Sequence, residues 1–322
     1  MAGRLPLIVL TSPLPGDAHA LAEGRARVRT LRPRGPLSED ALLRALKRAD
    51  GAVTLLSHPV TARVLESCSN LKVVSNYAVG TDNVDLEAAR RLGIRVTNTP
   101  DILTEATADL AWTLLLGAAR RAPEGDRMMR AGRFRGWAPD LLLGMDLRGK
   151  LLGIVGMGRI GKAVARRAPA FGLKVAYTQR RRLLASEEAA LGAAYMDLDE
   201  LLSAADIVSL HCPLTPQTRH LLDDRRLRTM KPGAVLVNTS RGAVVDEAAL
   251  VRRLREGGLG GAGLDVYEGE PELAPGLREL SNVFLLPHLG SAGAETRAEM
   301  ARMAVADCLA VIEGREPAHP VG

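Results

Sequence analysis

Three glycines in a Gly-x-Gly-x-x-Gly run, Gly156, Gly158 and Gly161, lie near the middle of the 322-residue chain. An apolar stretch, 150–155, leads into the run and a helix-forming stretch, 160–171, follows it. In such a strand–turn–helix unit, the first glycine allows a tight turn, the second lets the backbone approach a pyrophosphate, and the third lets helix pack on strand. The run therefore predicts a dinucleotide site, with phosphates at the helix N-terminus.

The end of the next predicted strand, 173–178, indicates which dinucleotide is bound. An NAD site normally has a carboxylate here, which accepts a hydrogen bond from the ribose and would repel a 2′-phosphate. This chain has Gln179, Arg180 and Arg181 instead, and no acidic residue between 173 and 185. Guanidinium groups suit a phosphate, so we predict NADP(H) as the preferred cofactor, with NAD(H) possible. A solvated surface turn is the alternative interpretation of these arginines.

Composition excludes several classes of protein. No apolar run reaches the roughly 20 residues that a membrane span needs, and residues 1–10 fit a first β-strand better than a signal peptide. The three cysteines, Cys68, Cys212 and Cys308, are far apart and have neither disulfide-framework nor metal-site spacing. The net charge is +6, but the basic residues are interspersed with acidic ones, and only 3% of residues are aromatic. We expect a cytoplasmic protein with no metal, membrane or nucleic-acid partner.

Predicted strands and helices alternate over residues 7–97 and again over 150–286, and such repeats form parallel sheets covered by helices on both faces. We predict an α/β fold of two Rossmann-like, doubly wound parallel-sheet domains. The last helix, 292–312, is expected to return to the first domain. The dinucleotide-binding domain, 100–288, is then inserted in a substrate domain made of residues 1–99 and 289–322.

Three local predictions concern the second domain. A long helix rich in Ala and Leu is predicted over 103–121. The following segment, 128–147, contains several Gly and Pro residues and is predicted to be irregular. A strand is predicted over 263–266.

Three residues that follow predicted strands have the chemistry that hydride transfer to a carbonyl requires. Arg241 can bind a carboxylate and polarise a neighbouring carbonyl. An imidazole can donate and accept a proton under physiological conditions, so His288 can serve as acid and base, and Glu270 can orient the histidine. Taken singly, each has an ordinary explanation, as a surface ion pair, a satisfied polar group or a loop residue. Together at strand ends they predict an active site.

Several stretches resemble the D-isomer-specific 2-hydroxyacid dehydrogenase family, over essentially the full length of the chain. They are 153–161, 211–218, 230–234, 238–242, 263–266 with Glu270-Pro271, and 286–292. The resemblance implies that Arg241 binds substrate, that His288 is the acid/base and that Glu270 pairs with it. It also implies cofactor contacts from Gly156, Gly158, Arg159, Ile160, Gly161, Cys212, Pro213, Thr218, Thr239, Asp265 and Gly290, with Asp265 near the nicotinamide amide.

The resemblance extends to a turn in the first domain, 75–85, whose amides of Val79 and Gly80 are implied to hold the substrate carboxylate. A glycine-containing turn after a strand can expose N–H groups to an anion, although it also fits a plain βα turn. Ser291 is implied as a further substrate contact. Within the family the chain is most similar to the glyoxylate/hydroxypyruvate reductases, in which a tryptophan at the place of Trp137 can close the pocket. Packing in a dimer core explains Trp137 equally well.

The resulting expectation is NADPH-dependent reduction of a short 2-keto acid, glyoxylate or hydroxypyruvate, to the D-2-hydroxy acid. The family also implies a homodimer formed through the nucleotide domain. Two alternatives stay open at this point. One is an NAD-using dehydrogenase of the same family, such as a D-3-phosphoglycerate dehydrogenase, and the other is a dinucleotide-sensing protein related to corepressors.

Overall fold

A computed structural model describes residues 4–321, so the predictions that touch residues 1–3 and 322 lie outside it. The strands are β1 (Leu7–Leu10), β2 (Arg27–Thr30), β3 (Gly51–Leu55), β4 (Val73–Tyr77), β5 (Arg95–Thr97), β6 (Leu151–Val155), β7 (Lys174–Thr178), β8 (Ala193–Tyr195), β9 (Ile207–Leu210), β10 (Val235–Asn238), β11 (Gly261–Leu264) and β12 (Val283–Leu285). The helices are α1 (Glu39–Leu46), α2 (Ala62–Glu66), α3 (Leu86–Leu92), α4 (Thr104–Ala119), α5 (Ala122–Arg130), α6 (Arg159–Arg167), α7 (Ala185–Leu191), α8 (Leu198–Ala204), α9 (Asp224–Thr229), α10 (Glu247–Arg255) and α11 (Ala294–Ile312).

The chain divides into two compact units. Residues 4–103 and 291–321 form unit 1, and residues 104–290 form unit 2. Each unit contains one parallel sheet, so the predicted fold class is confirmed. None of the helices in residues 4–321 is long and apolar enough to span a membrane.

Unit 1 has a five-stranded parallel sheet in the order β2-β1-β3-β4-β5. Helices α1 and α3 begin at side-chain caps, since Ser38 accepts a hydrogen bond from the Ala41 N–H and Asp85 accepts one from the Ala88 N–H. Apolar side chains of α1, α2 and α3 cover one face of the sheet. The other face packs against α11, whose Ala301, Val305 and Cys308 are buried. Helix α11 is therefore part of unit 1.

Unit 2 has a seven-stranded parallel sheet in the order β12-β11-β10-β9-β6-β7-β8. Its longest helix, α4, lies close to the sheet because two glycines leave room for it. A Cβ built on Gly117 would lie 2.4 Å from a ring carbon of Phe284, and one built on Gly263 would lie 2.8 Å from the Leu114 Cβ. Substituting either glycine would push α4 away from β11 and β12.

The structure corrects three local predictions. The helix predicted to end at Arg121 ends at Ala119, and α5 follows it to Arg130, within the segment predicted to be irregular. Arg121 has a left-handed φ of 52°, which separates the two helices, and α5 has a proline in its first turn, where proline is tolerated. Strand β11 is Gly261–Leu264 rather than 263–266, because its pairing with β10 starts at Gly261.

Strand β2 was not predicted, since its arginine-rich sequence is that of an exposed edge strand.

Candidate active site

The carboxyl ends of all seven strands of unit 2 lie along one edge of the sheet, because the strands are parallel. Moving outward from β6, the chain continues to β7 and β8 on one side and to β9, β10, β11 and β12 on the other. Ligands of doubly wound sheets bind where the strand order reverses, here between β6 and β9. Every predicted site residue of unit 2 except Trp137 follows a strand of this edge.

The glycine run turns between β6 and α6, and two of its glycines are required by the protein itself. Gly156 has a φ of 97°, and a Cβ there would lie 2.7 Å from the Cys212 backbone nitrogen. A Cβ on Gly161 would lie 2.2 Å from the Gly156 carbonyl oxygen. Gly158 differs, because it has an ordinary φ of −75° and a Cβ there would meet no atom within 4 Å. The space beside Gly158 fits a pyrophosphate that approaches the backbone.

Helix α6 begins directly after Gly158 and has an end suited to an anion. No side chain caps the helix, and its first turn contains no acidic residue. The first N–H groups of a helix lack acceptors within the helix, and the helix dipole favours negative charge there. The residues present therefore fit the phosphates of a dinucleotide.

His288 and Glu270 form a hydrogen-bonded pair at the β11 and β12 end of the edge. The distance from His288 Nδ1 to Glu270 Oε2 is 2.9 Å, and Glu270 Oε1 accepts a hydrogen bond of 2.9 Å from the Tyr267 N–H. Burial opposes ionisation of Glu270, but the hydrogen bond and charge of His288 outweigh it, so the pKa of this carboxyl lies below its ordinary value. The pair leaves His288 Nε2 as the ring nitrogen that can exchange a proton with a substrate.

The buried carboxylate of Asp265 holds the turn that carries His288. Its two oxygens accept hydrogen bonds from the N–H groups of Leu289, at 2.6 Å, and Gly290, at 2.8 Å, and the Asp265 carbonyl accepts one from the His288 N–H at 2.9 Å. His288 has a left-handed φ of 55°, which is uncommon for a residue other than glycine and is found at functional sites. Burial raises the pKa of Asp265 against the effect of these donors.

Arg241 follows β10 and lies in the same unit as the His288–Glu270 pair. Its backbone carbonyl accepts a hydrogen bond of 2.9 Å from Asn238 Nδ2, and the positive charge of Arg241 contributes to the lowered pKa of Glu270. The next residue, Gly242, has no room for a side chain, since a Cβ would lie 1.9 Å from the Tyr267 carbonyl carbon. The loop after β10 therefore packs directly on the loop that carries Glu270.

Comparison with known proteins identifies the family of this chain. A family model described as D-isomer specific 2-hydroxyacid dehydrogenase, NAD binding domain, matches residues 112–290. The glyoxylate reductase of Thermococcus onnurineus is 44% identical over 316 residues, which are 97% of this chain and 94% of that protein.

The chain belongs to the D-isomer-specific 2-hydroxyacid dehydrogenase family. Among solved structures, a protein of Thermus thermophilus has a TM-score of 0.91 at 49% identity, with 98% of this chain and 100% of that chain covered. An NADPH-dependent glyoxylate/hydroxypyruvate reductase of Sinorhizobium meliloti, in complex with NADP and malonate, has a TM-score of 0.87 at 33% identity, with 99% and 97% covered. The resemblance drawn from the sequence is confirmed, and the protein is an NAD(P)-dependent oxidoreductase.

In this 2-hydroxyacid dehydrogenase, Gln179 links the glycine run to the arginine turn, residues 179–182. Gln179 Oε1 accepts a hydrogen bond of 3.1 Å from the Met157 N–H, and its Nε2 donates one of 2.7 Å to the Arg181 carbonyl. Arg182 is bound to Glu188 at 2.8 Å and lies over the Tyr195 ring. The exposed side chains of Arg180 and Arg181 have no ion-pair or hydrogen-bond partner among residues 4–321.

Several of the other residues that the resemblance assigns to the cofactor make hydrogen bonds within the protein or are buried in it. The Thr218 hydroxyl donates to the Pro213 carbonyl at 2.6 Å, and the Gly290 carbonyl accepts a hydrogen bond of 3.0 Å from the Thr107 hydroxyl. Burial raises the pKa of the Cys212 thiol to about 11. The cofactor contacts of these residues and of Asp265 and Thr239 stay predictions.

Two residues of this edge were not predicted. His211 follows β9 with its Nε2 2.8 Å from the Ser209 hydroxyl, and burial lowers its pKa to about 4. Glu247, 5% exposed, accepts a hydrogen bond of 2.7 Å from the Glu268 N–H, and burial raises its pKa. His211 stands directly before Cys212 in a quoted motif, whereas nothing local to Glu247 distinguishes it from an ordinary helix residue.

The predicted residues outside this edge lie on a turn and on a surface segment. In unit 1, Val79 and Gly80 lie on the turn that follows β4, and Val79 is 36% exposed. In unit 2, Trp137 is 83% exposed in the segment after α5. Among residues 4–321, no group of His, Cys, Asp and Glu side chains is arranged to hold a metal ion.

Proposed function

We propose that this protein reduces a short 2-keto acid, glyoxylate or hydroxypyruvate, to the D-2-hydroxy acid, with NADPH as the preferred cofactor. The observation that carries the proposal is the 2.9 Å pair of His288 Nδ1 and Glu270 Oε2 at the carboxyl edge of the dinucleotide-binding sheet. When bound, the cofactor supplies the hydride.

The residues of this chain contribute the proton and the charge. His288 donates a proton from Nε2 to the carbonyl oxygen as an alkoxide develops, and Glu270 holds the ring by Nδ1 and balances the positive charge of the imidazolium. Arg241 binds the substrate carboxylate and polarises the carbonyl. Val79 and Gly80 are proposed as backbone donors to the carboxylate, and Ser291 as a further contact.

The preference for NADPH rests on the arginine turn. The side chain of Gln179 carries no negative charge that would repel a 2′-phosphate, and the guanidinium groups of Arg180 and Arg181 have no hydrogen-bond or ion-pair partner among residues 4–321. Arg182 is engaged by Glu188 and is assigned no role toward the cofactor. The similarity to an NADPH-dependent reductase supports the same preference.

A homodimer through the nucleotide domain accounts for an apolar surface segment of unit 2. The exposed side chains are Met129 at 60%, Phe134 at 43%, Trp137 at 83%, Leu141 at 37% and Leu143 at 66%. Large apolar side chains concentrated in one segment mark an interaction surface. In this proposal Trp137 packs at the subunit interface or closes the substrate pocket. We also propose that the protein is cytoplasmic. A mass of one subunit by light scattering at micromolar concentration would refute the dimer.

The decisive experiment is a panel of keto acids assayed with NADPH and NADH side by side. We expect glyoxylate and hydroxypyruvate to give the highest kcat/KM, and NADPH to be preferred. Activity confined to NADH and a phosphorylated substrate would support the phosphoglycerate dehydrogenase alternative. Binding of the dinucleotide without turnover of any keto acid would support a sensing role.

A further inference from the structure

The turn that follows β4 in unit 1 is held by its carbonyl groups. The Ala78 carbonyl accepts a hydrogen bond of 2.9 Å from the Thr99 N–H, and the Val79 carbonyl accepts one of 2.8 Å from Asn98 Nδ2. The Gly80 carbonyl accepts one of 2.8 Å from Asn76 Nδ2. Three successive carbonyls thus have protein donors.

The anchoring of the carbonyls decides where the amides point. In a trans peptide the C=O of one residue and the N–H of the next point in opposite directions. Because Asn98 and Thr99 are neighbours, the carbonyls of Ala78 and Val79 face the same short segment, and the N–H groups of Val79 and Gly80 face away from it. Neither of these amides donates a hydrogen bond to any of residues 4–321.

A buried network supports the turn from below. Asn76 is fully buried, and its Oδ1 accepts a hydrogen bond of 3.1 Å from the Thr54 hydroxyl and one of 3.2 Å from Asn83 Nδ2. Asn83 Nδ2 also donates to the carbonyls of Leu55 and His58. Asn76 is therefore fixed by the core, whereas Asn98 is half-buried and holds the outer part of the turn through one hydrogen bond.

We infer that Asn98 is a positioning residue for the substrate carboxylate: by holding the Val79 carbonyl, its side-chain amide turns the Gly80 N–H outward to bind the anion. This inference rests on the proposed reduction of a 2-keto acid. Asn98 acts through the peptide plane that it fixes and needs no contact with the substrate. Two N–H groups that are already turned outward bind a carboxylate without the cost of ordering the turn.

The test compares Asn98→Leu with Thr99→Val. Leucine has about the size of asparagine but cannot donate to the Val79 carbonyl. The Thr99 hydroxyl is buried without a hydrogen-bond partner, and Thr99 anchors the Ala78 carbonyl through its backbone N–H. Thr99→Val thus changes the adjacent side chain and leaves all three carbonyl anchors in place.

The readouts are kcat, the KM for glyoxylate, the KM for NADPH, the inhibition constant of oxalate and the Tm. One hydrogen bond contributes about 0.5–1.5 kcal/mol. We therefore expect Asn98→Leu to raise the KM for glyoxylate and the inhibition constant of oxalate together, by about 3- to 10-fold. The kcat and the KM for NADPH should stay within about twofold, as expected for loss of uniform substrate binding. Thr99→Val should match the wild type in kcat, both KM values and the inhibition constant, and its Tm should be equal or higher, because the substitution removes a buried hydroxyl without a partner.

Two results would overturn the inference. One is an unchanged KM and oxalate inhibition constant in Asn98→Leu. The other is a general loss in which kcat, both KM values and the Tm worsen together, since that would indicate a structural role. If the wild type does not reduce glyoxylate, the proposed function fails instead. Calorimetric titration of oxalate into wild type and Asn98→Leu then still tests the turn, and equal affinities would count against Asn98.

Discussion

The two ends of the same sheet edge are built in opposite ways. At one end, formed by the loops after β11 and β12 and called the catalytic end after the role proposed for it, the polar side chains are held by the protein. Asp265 binds two backbone amides, and Glu270 binds both the Tyr267 N–H and His288. In the arginine turn at the end of β7, Arg180 and Arg181 are exposed and have no partner among residues 4–321.

This difference indicates how each end works. A proton donor must be within hydrogen-bond reach of one atom of the substrate, and an error of about 1 Å is costly. A side chain that is fixed in advance, as His288 is, suits the role of proton donor proposed for it. A 2′-phosphate is a compact anion that flexible guanidinium groups can bind from several directions. Substitutions at the catalytic end should therefore affect kcat, and substitutions in the arginine turn should affect cofactor choice.

The largest effect is expected from His288→Asn. Asparagine tolerates the left-handed φ of 55° that His288 adopts, so the turn should persist while the proton donor is lost. General acid catalysis contributes about 10²- to 10⁴-fold, and kcat should fall by that range. The dissociation constant of NADPH, followed by its fluorescence, should change little. A kcat within about tenfold of the wild type would exclude His288 as the proton donor.

A smaller loss, about 10- to 100-fold in kcat, is expected from Glu270→Gln. The amide oxygen can still accept a hydrogen bond from His288 Nδ1, but the NH2 group cannot accept the one from the Tyr267 N–H, and the amide carries no charge to balance the imidazolium. Reduction requires the protonated ring, which the Glu270 carboxylate stabilises, so the deficit relative to the wild type should be larger at high pH than at low pH. Profiles of kcat/KM against pH for both proteins measure this, and parallel profiles would argue that Glu270 only positions the ring.

The arginine turn should respond differently, and Arg182 provides a matched control. The double substitution Arg180→Ala, Arg181→Ala should raise the KM for NADPH by about 10- to 30-fold, with the KM for NADH within about twofold, because only the 2′-phosphate contacts are lost. Arg182→Ala removes an equally charged neighbour that is bound to Glu188 and should affect both cofactors equally. If the two variants shift cofactor preference alike, overall charge rather than specific contact sets it.

Sequence patterns predicted those features whose cause is local. The glycine run is recognisable because the conformation of Gly156 and the close packing of Gly161 each require the absence of a side chain. His288, Glu270 and Arg241 were predicted because each follows an apolar strand, and strands of a parallel sheet end at a common edge. The order of the predicted strands led to the expectation that the last helix returns to the first domain.

Features that depend on tertiary contact were missed. One of the two hydrogen bonds of Gln179 comes from the Met157 N–H, 22 positions away in the chain. Asp265 was expected only near the cofactor, yet its carboxylate holds the His288 turn, because the end of β11 lies beside the end of β12. Asn98 resembles any residue between a strand and a proline until its contact with the Val79 carbonyl is known.

His211 follows β9, between the two ends, and gives the smallest predicted effect. Burial lowers its pKa from 6.5 to about 4, so the folded protein binds fewer protons here than the unfolded chain between these values. Stability is therefore complete above pH 6.5 and falls as the pH drops toward 4. Between pH 7 and pH 5.5 this one group should cost about 1 kcal/mol. His211→Gln keeps a polar side chain but cannot titrate, so its urea-unfolding midpoint should fall less over this interval than that of the wild type. If the unfolding midpoints of the two proteins fell equally, the loss of stability at acid pH would come from other groups in the chain. The region between the two ends of the sheet edge would then contribute nothing to that loss.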